Sequence, residues 1–402
     1  MKSASGGPWP SFKQEEAEAV KRVLLSNRVN AWTGNQCKYF EKEFADWVGT
    51  KHAISLMNGT VALELALRGL GIGPGDEVIV TPRTFIASIS CIVAVGAKPV
   101  FADVELDSQN ISARTITEVL SPKTKAIICV HLAGWPCEMD DIMSLAETHN
   151  LYVIEDCAQA HGAKYRGKSV GSIGHVAAWS FCQDKIMTTG GEGGMVTTND
   201  EALWKRMWAY KDHGKSWDAV QAPQREPGFR WLHEGFGTNW RMTEMQAAIG
   251  RIQLKRMPLW HEKRLANAKR IWETAQGIDG LSVPAVPAYI EHAAYKAYVF
   301  VDGSEGSVKL ERDRIMHEIQ THDVSCFAGS CSEVYLEKAF DNTSFRPKQR
   351  LKNAALLADT ALMFLVHPTL SEESIERTCL ALRAATKKGC PTEVEPATLE
   401  AL

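Results

Sequence analysis

The chain has 402 residues, 45% of them hydrophobic and 23% charged, with a formal net charge of -3. That length allows about two or three domains and a sizeable core. The near-balanced charge gives no electrostatic case for nucleic acid or an anionic membrane as a partner. The first residues, Met1 to Pro8, lack an apolar core, so no secretory leader is expected. The longest apolar run, Ile86 to Ala97, is too short to span a bilayer and is interrupted by serines. The 10 cysteines are scattered, with no C-x-x-C or zinc spacing. They read as reduced core thiols of a cytoplasmic protein, with no metal expected.

Residues 1–10 are a Gly/Pro lead-in. Ser11 with Gln14 reads as a capping box, opening a helix whose apolar stripe is Ala17, Val20, Val23 and Leu24. Tyr39 to Val48 reads as a second helix, with Gly49 just past its end. His52 to Met57 is strand-like, Asn58-Gly59-Thr60 a turn, and Val61 to Leu70 a helix. Val78 to Thr81 predicts a strand and Thr84 to Val95 a helix. Pro99 to Val104, Ala126 to His131 and Leu151 to Glu155 predict three more strands, with a helix over Met139 to His149. Strand and helix alternate, and several strands are apolar throughout. This predicts an α/β fold with a mostly parallel sheet covered by helices on both faces.

After Met195 the rhythm changes. Glu201 to Lys211 predicts a helix, and Asp212 to Thr238 a long polar loop of the kind that is usually functional. Thr243 and Gln246 form another capping box, opening a helix expected to stop near Pro258. Trp260 to Gln276 then predicts an amphipathic helix that leads into a second domain. Tyr295 to Val301 and Val324 to Phe327 read as strands. Leu310 to Thr321, Leu351 to Leu362 and Glu372 to Ala385 read as helices. The division expected is a large domain over 1–255 with an N-terminal arm, a small α/β domain over 256–387, and a flexible tail over 388–402.

The stretch Trp179 to Met195 leaves an apolar strand, passes the single Lys185, and ends in a glycine cluster. Such a lysine is either a solvated surface charge or a desolvated amine able to form a Schiff base. Asn58-Gly59-Thr60 sits between strand and helix, where free N–H groups suit a phosphate or where Asn58 simply caps the helix. Asp156 falls at the carboxyl end of an apolar strand, where ligands bind in open α/β sheets. A carboxylate there needs a partner such as a protonated ring nitrogen, or serves as a helix cap. Ser180, five residues before Lys185, offers a hydroxyl to the same cavity. Phe85, at another strand-to-helix switch, stacks on a flat ring or belongs to the core. One group needs the whole set in this order. Pyridoxal 5′-phosphate (PLP) has a phosphate, a flat ring, a basic nitrogen and an aldehyde.

The chain resembles the DegT/DnrJ/EryC1/StrS family of PLP-dependent sugar aminotransferases. The stretches that carry the likeness are Trp32-Thr-Gly, Asn58-Gly-Thr-Val-Ala-Leu63, Gly73-Pro-Gly-Asp-Glu-Val-Ile79, Thr84-Phe-Ile-Ala-Ser88, Glu155-Asp-Cys-Ala-Gln-Ala-His-Gly-Ala163, Ser180-Phe-x-x-x-Lys185, Gly191-Glu-Gly-Gly194, Asn239-Trp-Arg-Met-Thr-Glu-Met-Gln-Ala-Ala-Ile-Gly250 and Leu365-Val-His-Pro368. The resemblance implies the aspartate-aminotransferase architecture, fold type I. That is a mostly parallel, mixed seven-stranded sheet between helices, plus a smaller C-terminal α/β domain.

The resemblance also implies roles. Lys185 forms the Schiff base with the cofactor and moves the proton, and Asp156 keeps the pyridine nitrogen protonated. Gln159 contacts the ring or its 3′-oxygen. Gly59, Thr60 and Ser180 hold the phosphate, and Phe85 stacks on the ring. Asn239 reaches the phosphate in the neighbouring subunit, so the site is a property of a homodimer, and the long loop before it crosses to the partner. Arg241 and His367 are substrate candidates. The activity implied is transfer of nitrogen from glutamate to a nucleotide-linked 3- or 4-keto sugar, for surface polysaccharide or secondary metabolites. One departure stands out. Many members carry a His-Tyr and a Leu-His in the small domain, where this chain has Val324 to Tyr335 without histidine. Other readings are a cyclitol ketone as acceptor, a PLP-dependent sugar dehydratase relative, or a non-catalytic relative. Lys185 argues against the dehydratase, whose relatives carry histidine there. The intact Lys, Asp, Gln and Ser set argues against the last.

Overall fold

The structure, a computed structural model, describes residues 7–223, 228–303 and 307–386. The tail expected over 388–402 lies outside the described residues. The large sheet has seven strands: β1 (His52–Leu56), β2 (Glu77–Val80), β3 (Lys98–Phe101), β4 (Thr124–Val130), β5 (Tyr152–Asp156), β6 (Val176–Ser180) and β7 (Gly194–Thr198). Their order across the sheet is β1-β7-β6-β5-β4-β2-β3. β3, β2, β4, β5 and β6 pair in parallel, while β7 runs antiparallel to both β1 and β6. The six parallel strands therefore end on one edge, where the loops after β1, β2, β5 and β6 converge. The mostly parallel, mixed seven-stranded sheet of the sequence reading is the one observed.

The middle strands are apolar because both faces are covered. Ile54, Val78, Val80, Ile128 and Ile154 pack on one face, and Ile79, Ile127, Cys129 and Val153 on the other. Each fully buried Val, Leu or Ile contributes about 1.5–3 kcal/mol relative to exposure. Next to β1, helix α1 (Gly59–Gly69) begins immediately after its cap, Asn58, whose side chain accepts from the Val61 amide at 3.0 Å. The turn read at Asn58-Gly59-Thr60 is thus that cap followed by the first helical residues.

Three readings change in detail. The first helix is capped by Lys13 rather than Ser11, with the Glu16 carboxylate accepting from the Lys13 amide at 3.0 Å. The helix expected to stop at Pro258 does not stop: α2 runs unbroken over Glu244–Gln276. Pro258 is exposed, while Leu254, Met257, Trp260 and Arg264 on the same helix are buried. Burial on the inner face carries the helix past the missing N–H. The boundary placed at 255 therefore falls inside one rod, whose first part packs on the large domain and whose Ala268, Ile271 and Ala275 pack in the small one. Finally, the helix read through Leu362 ends at Thr360, and Ala361–Leu365 is a strand. That strand pairs with β8 (Lys296–Val301) in the small four-stranded sheet. A five-residue apolar run fits a buried strand and a buried helix turn equally, so periodicity did not separate them.

Candidate active site

The edge where the parallel strands end faces the small domain across a cavity of about 380 Å³. Phe85, Gln159 and Lys185 line it from the large domain, and Tyr295, Lys296 and Phe327 from the other side. Lys185 follows β6 on a turn. Its side chain is 16% exposed, with Nζ 4.0 Å from Asp184 and 5.3 Å from the centre of the Tyr295 ring. Tyr295 donates its hydroxyl to Asp184. Burial alone would raise the Asp184 carboxyl, but Lys185 and the Tyr295 hydroxyl hold it below its usual range.

Asp156 ends β5 and is 5% exposed. Its carboxylate accepts from Ser88 Oγ at 2.8 Å and from the Ala158 amide at 3.1 Å. Burial still pushes its pKa up. Two donors do not compensate lost hydration, and a positive donor would complete the set. The adjacent Glu155 points to the opposite face of the strand and is fully buried there. It accepts from the Gly171, Ile173 and Gly174 amides and pairs with His131 Nε2 at 3.0 Å. Burial raises Glu155, yet His131 and these amides outweigh it and keep the carboxyl ionised. His131, Glu155 and Cys157 lie close enough to suggest a metal site. But His131 Nδ1 already accepts from the Cys137 amide at 3.0 Å, so both ring nitrogens are in use.

Gln159 accepts from the Ala133 amide at 2.8 Å, which fixes its side chain at the cavity wall. Ser180 closes β6 opposite the start of α1. A Cβ on Gly59 would sit 2.7 Å from Ser180 Cβ, so only glycine lets the helix N-terminus approach the serine. Gly190 and Gly191 have φ of 91° and 122° and turn the chain after the lysine segment. Gly194 packs so closely on the Asn58 carbonyl that any Cβ would collide with it. The glycine cluster thus brings the lysine loop and the helix start together.

The remaining candidates differ in where they sit. Phe85 is 68% exposed at the cavity mouth and is not core. Thr60 is exposed beside Gly59. Asn239 is exposed and lies outside the cavity lining. Arg241 donates from Nη1 to Asp212 at 2.6 Å and also lies outside that lining. His367 bonds Thr369 at 2.9 Å and stacks on Trp9, with its pKa held down to about 3 by burial and by Arg264 and Lys296. Sequence reasoning passed over four residues that matter here. Ser88 braces Asp156, Tyr295 and Lys296 line the cavity, and Trp9 donates from Nε1 to the Lys185 carbonyl at 2.9 Å. Ser88 lay within a motif already quoted; the others have no motif.

Comparison with known proteins decides the family. The sequence pattern of the DegT/DnrJ/EryC1/StrS aminotransferase family matches residues 10–383. The chain belongs to this family. An aminotransferase from Psychrobacter cryohalolentis, known from an X-ray structure, is 62% identical and superposes with a TM-score of 0.91. The match covers 94% of this chain and 98% of that one. A UDP-N-acetyl-3-dehydro-alpha-D-glucosamine 3-aminotransferase of Acidithiobacillus ferrooxidans is 35% identical over 350 residues, 87% of this chain and 88% of its own. The GDP-perosamine synthase of Caulobacter vibrioides is 46% identical over 267 residues, 64% of this chain and 69% of its own. This member of the family is therefore an enzyme of the PLP-dependent aminotransferase class, with the matching fold.

Proposed function

We propose that the enzyme moves an amino group from L-glutamate to a nucleotide-linked 3- or 4-keto sugar, with PLP held at Lys185. The product is an amino sugar for surface polysaccharide or secondary metabolites, made in the cytoplasm. The observation that carries this reading is the shared cavity, in which Lys185, Gln159 and Phe85 converge at the strand end that buries Asp156. Two relatives named for sugars on different nucleotides support the acceptor class. They also leave the nucleotide to experiment.

The residues fit PLP. The Gly59 cradle against Ser180 suits a phosphate, with the Gly59 and Thr60 amides at the start of a helix. Asp156, buried with only two donors, suits a protonated ring nitrogen. Phe85 presents an exposed ring at the mouth, and Gln159 is held at the wall. When bound, the cofactor supplies an aldehyde for the amine and a ring that accepts electrons. Lys185 Nζ would be the group placed to take up and return a proton at the reacting centre, and Asp156 would keep the ring nitrogen protonated. Tyr295 fixes Asp184 beside the lysine.

Asn239 supports a homodimer with shared sites. It is exposed on one chain, and the loop before it presents Phe229, Trp231 and Phe236 to solvent. The test is spectroscopic. The purified enzyme with PLP should show a visible band that borohydride bleaches, and glutamate should convert that band. Mass spectrometry of the glutamate-loaded enzyme with UDP-, GDP- and dTDP-linked keto sugars should then reveal the aminated product. A protein that PLP does not tint overturns the reading.

A further inference from the structure

Lys296 is the second amine of the cavity, and the roles above do not use it. It opens β8, where its Cα pairs with Leu365, another residue of the cavity wall. Its Nζ lies 4.8 Å from the centre of the Tyr295 ring, the same ring that Lys185 Nζ approaches at 5.3 Å. The two amines therefore flank one aromatic ring and open into one cavity.

Their surroundings differ. Lys185 has Asp184 at 4.0 Å. The Lys296 amine makes no hydrogen bond or contact ion pair among the described residues; it lies over the Tyr295 face and meets Asp184 only at longer range. Asp184 is occupied by the Tyr295 hydroxyl and Lys185. Glu337 lines the cavity without pairing with Lys296. An ammonium withdrawn from water is costly unless an anion meets it, and contact with an aromatic ring offsets only part of that cost. Burial and the nearby Arg264 lower the Lys296 amine to about 8. The backbone around it is firm: the Tyr295 amide donates to the Ala133 carbonyl at 2.9 Å. A cation with no carboxylate in contact, beside a second amine in the same cavity, is an arrangement for receiving an anionic substrate.

We propose that Lys296 is the oxyanion anchor of the substrate half of the cavity, holding a carboxylate or phosphate oxygen while the reacting nitrogen or carbon lies at Lys185. This deepens the function proposed above and rests on it. Two substrates carry such oxygens: the carboxylates of the amino donor and the diphosphate of the nucleotide sugar.

The test uses the PLP-loaded enzyme and its Lys296→Met, Lys296→Gln and Lys296→Arg variants. Retention of the visible band shows that each variant folds and keeps the cofactor. Calorimetry with glutarate, a dicarboxylate without an amino group, reads the donor oxyanion; calorimetry with UDP, GDP and dTDP reads the diphosphate. Loss of the charge should weaken one of the two by about tenfold to a hundredfold, and Lys296→Arg should restore most of it. A fall in glutarate binding, with a matching rise in the glutamate concentration that half-converts the band, assigns the donor carboxylate. A fall in nucleotide binding with glutarate unchanged assigns the diphosphate. Less than a twofold change in both, for both neutral variants, overturns the anchor. If glutamate fails to convert the wild-type band, the aminotransfer reading fails, while glutarate and nucleotide binding still report on Lys296.

Discussion

The two walls of the cavity are built differently. On the large-domain wall, Asp156 is braced by Ser88 and Ala158, Gln159 by Ala133, and the backbone of Lys185 by Trp9. On the small-domain wall, the Lys296 amine touches only an aromatic face, with Asp184 at longer range, Phe327 is 44% exposed and Cys331 is exposed. A wall that meets the same group in every turnover can be rigid and fully hydrogen-bonded. A wall that meets two substrates in alternation keeps its polar groups free for them. The difference teaches where to look for specificity: on the wall with spare donors.

That contrast can be broken by experiment. The largest effect is expected at the braced wall. Lys185→Ala should remove the visible band and cost at least about 10²–10⁴ in rate through lost proton transfer. Absorbance and turnover measure both, and an active, coloured variant would refute the assignment.

The next effect is on stability against pH. His161, His292 and His367 are held at about 3, chiefly by burial. Their unfolded values are near 6.5, so the unfolded chain binds more protons below that pH. Stability should be full above about pH 6.5 and fall as the pH drops towards 3, by about 1.4 kcal/mol per pH unit for each histidine. Asp156, whose carboxyl is raised, opposes this loss in the cofactor-free protein. Urea unfolding between pH 7 and pH 4 measures the slope, and His161→Phe should remove the share of the large-domain wall.

A smaller effect is expected at the proposed phosphate cradle. Gly59→Ala brings a methyl group against Ser180 and should cost about 1–3 kcal/mol. Most of that should appear as weaker PLP binding, read by titrating the cofactor-free protein. The smallest concerns Phe85. Its replacement by leucine should lose about 0.5–1.5 kcal/mol of ring stacking, roughly twofold to twelvefold in PLP affinity. No change in affinity would mean that Phe85 serves the substrate side instead.

The same contrast explains what the sequence revealed. The large-domain wall is assembled at strand ends, and strand ends are marked by apolar runs that stop at Asn58, Asp156 and Ser180. The apolar runs marked these strand ends, while the role of each residue came from the family resemblance. Its finer supports, such as Ser88, follow once the strand order is known. The small-domain wall comes from Tyr295, Lys296 and the turn after Phe327, which lie far from Lys185 in the chain. No local pattern marks Lys296, because only the folded arrangement puts its amine opposite Lys185. Pro258 misled for a related reason. A proline breaks a helix locally, but the buried face of α2 outweighed that preference.

Trp9 joins matters that look separate. Its indole N–H holds the Lys185 carbonyl, its ring lies 4.8 Å from the Arg264 guanidinium, and it stacks on His367. Thr369 in turn donates to the Gly7 carbonyl at 3.0 Å. The segment from Gly7 to Trp9 is thus a clasp across both domains, fastened at the proposed Schiff-base lysine. Trp9 thereby ties the small domain to the backbone of Lys185. Any change at Trp9 is therefore felt at the backbone of Lys185, 176 residues away in sequence.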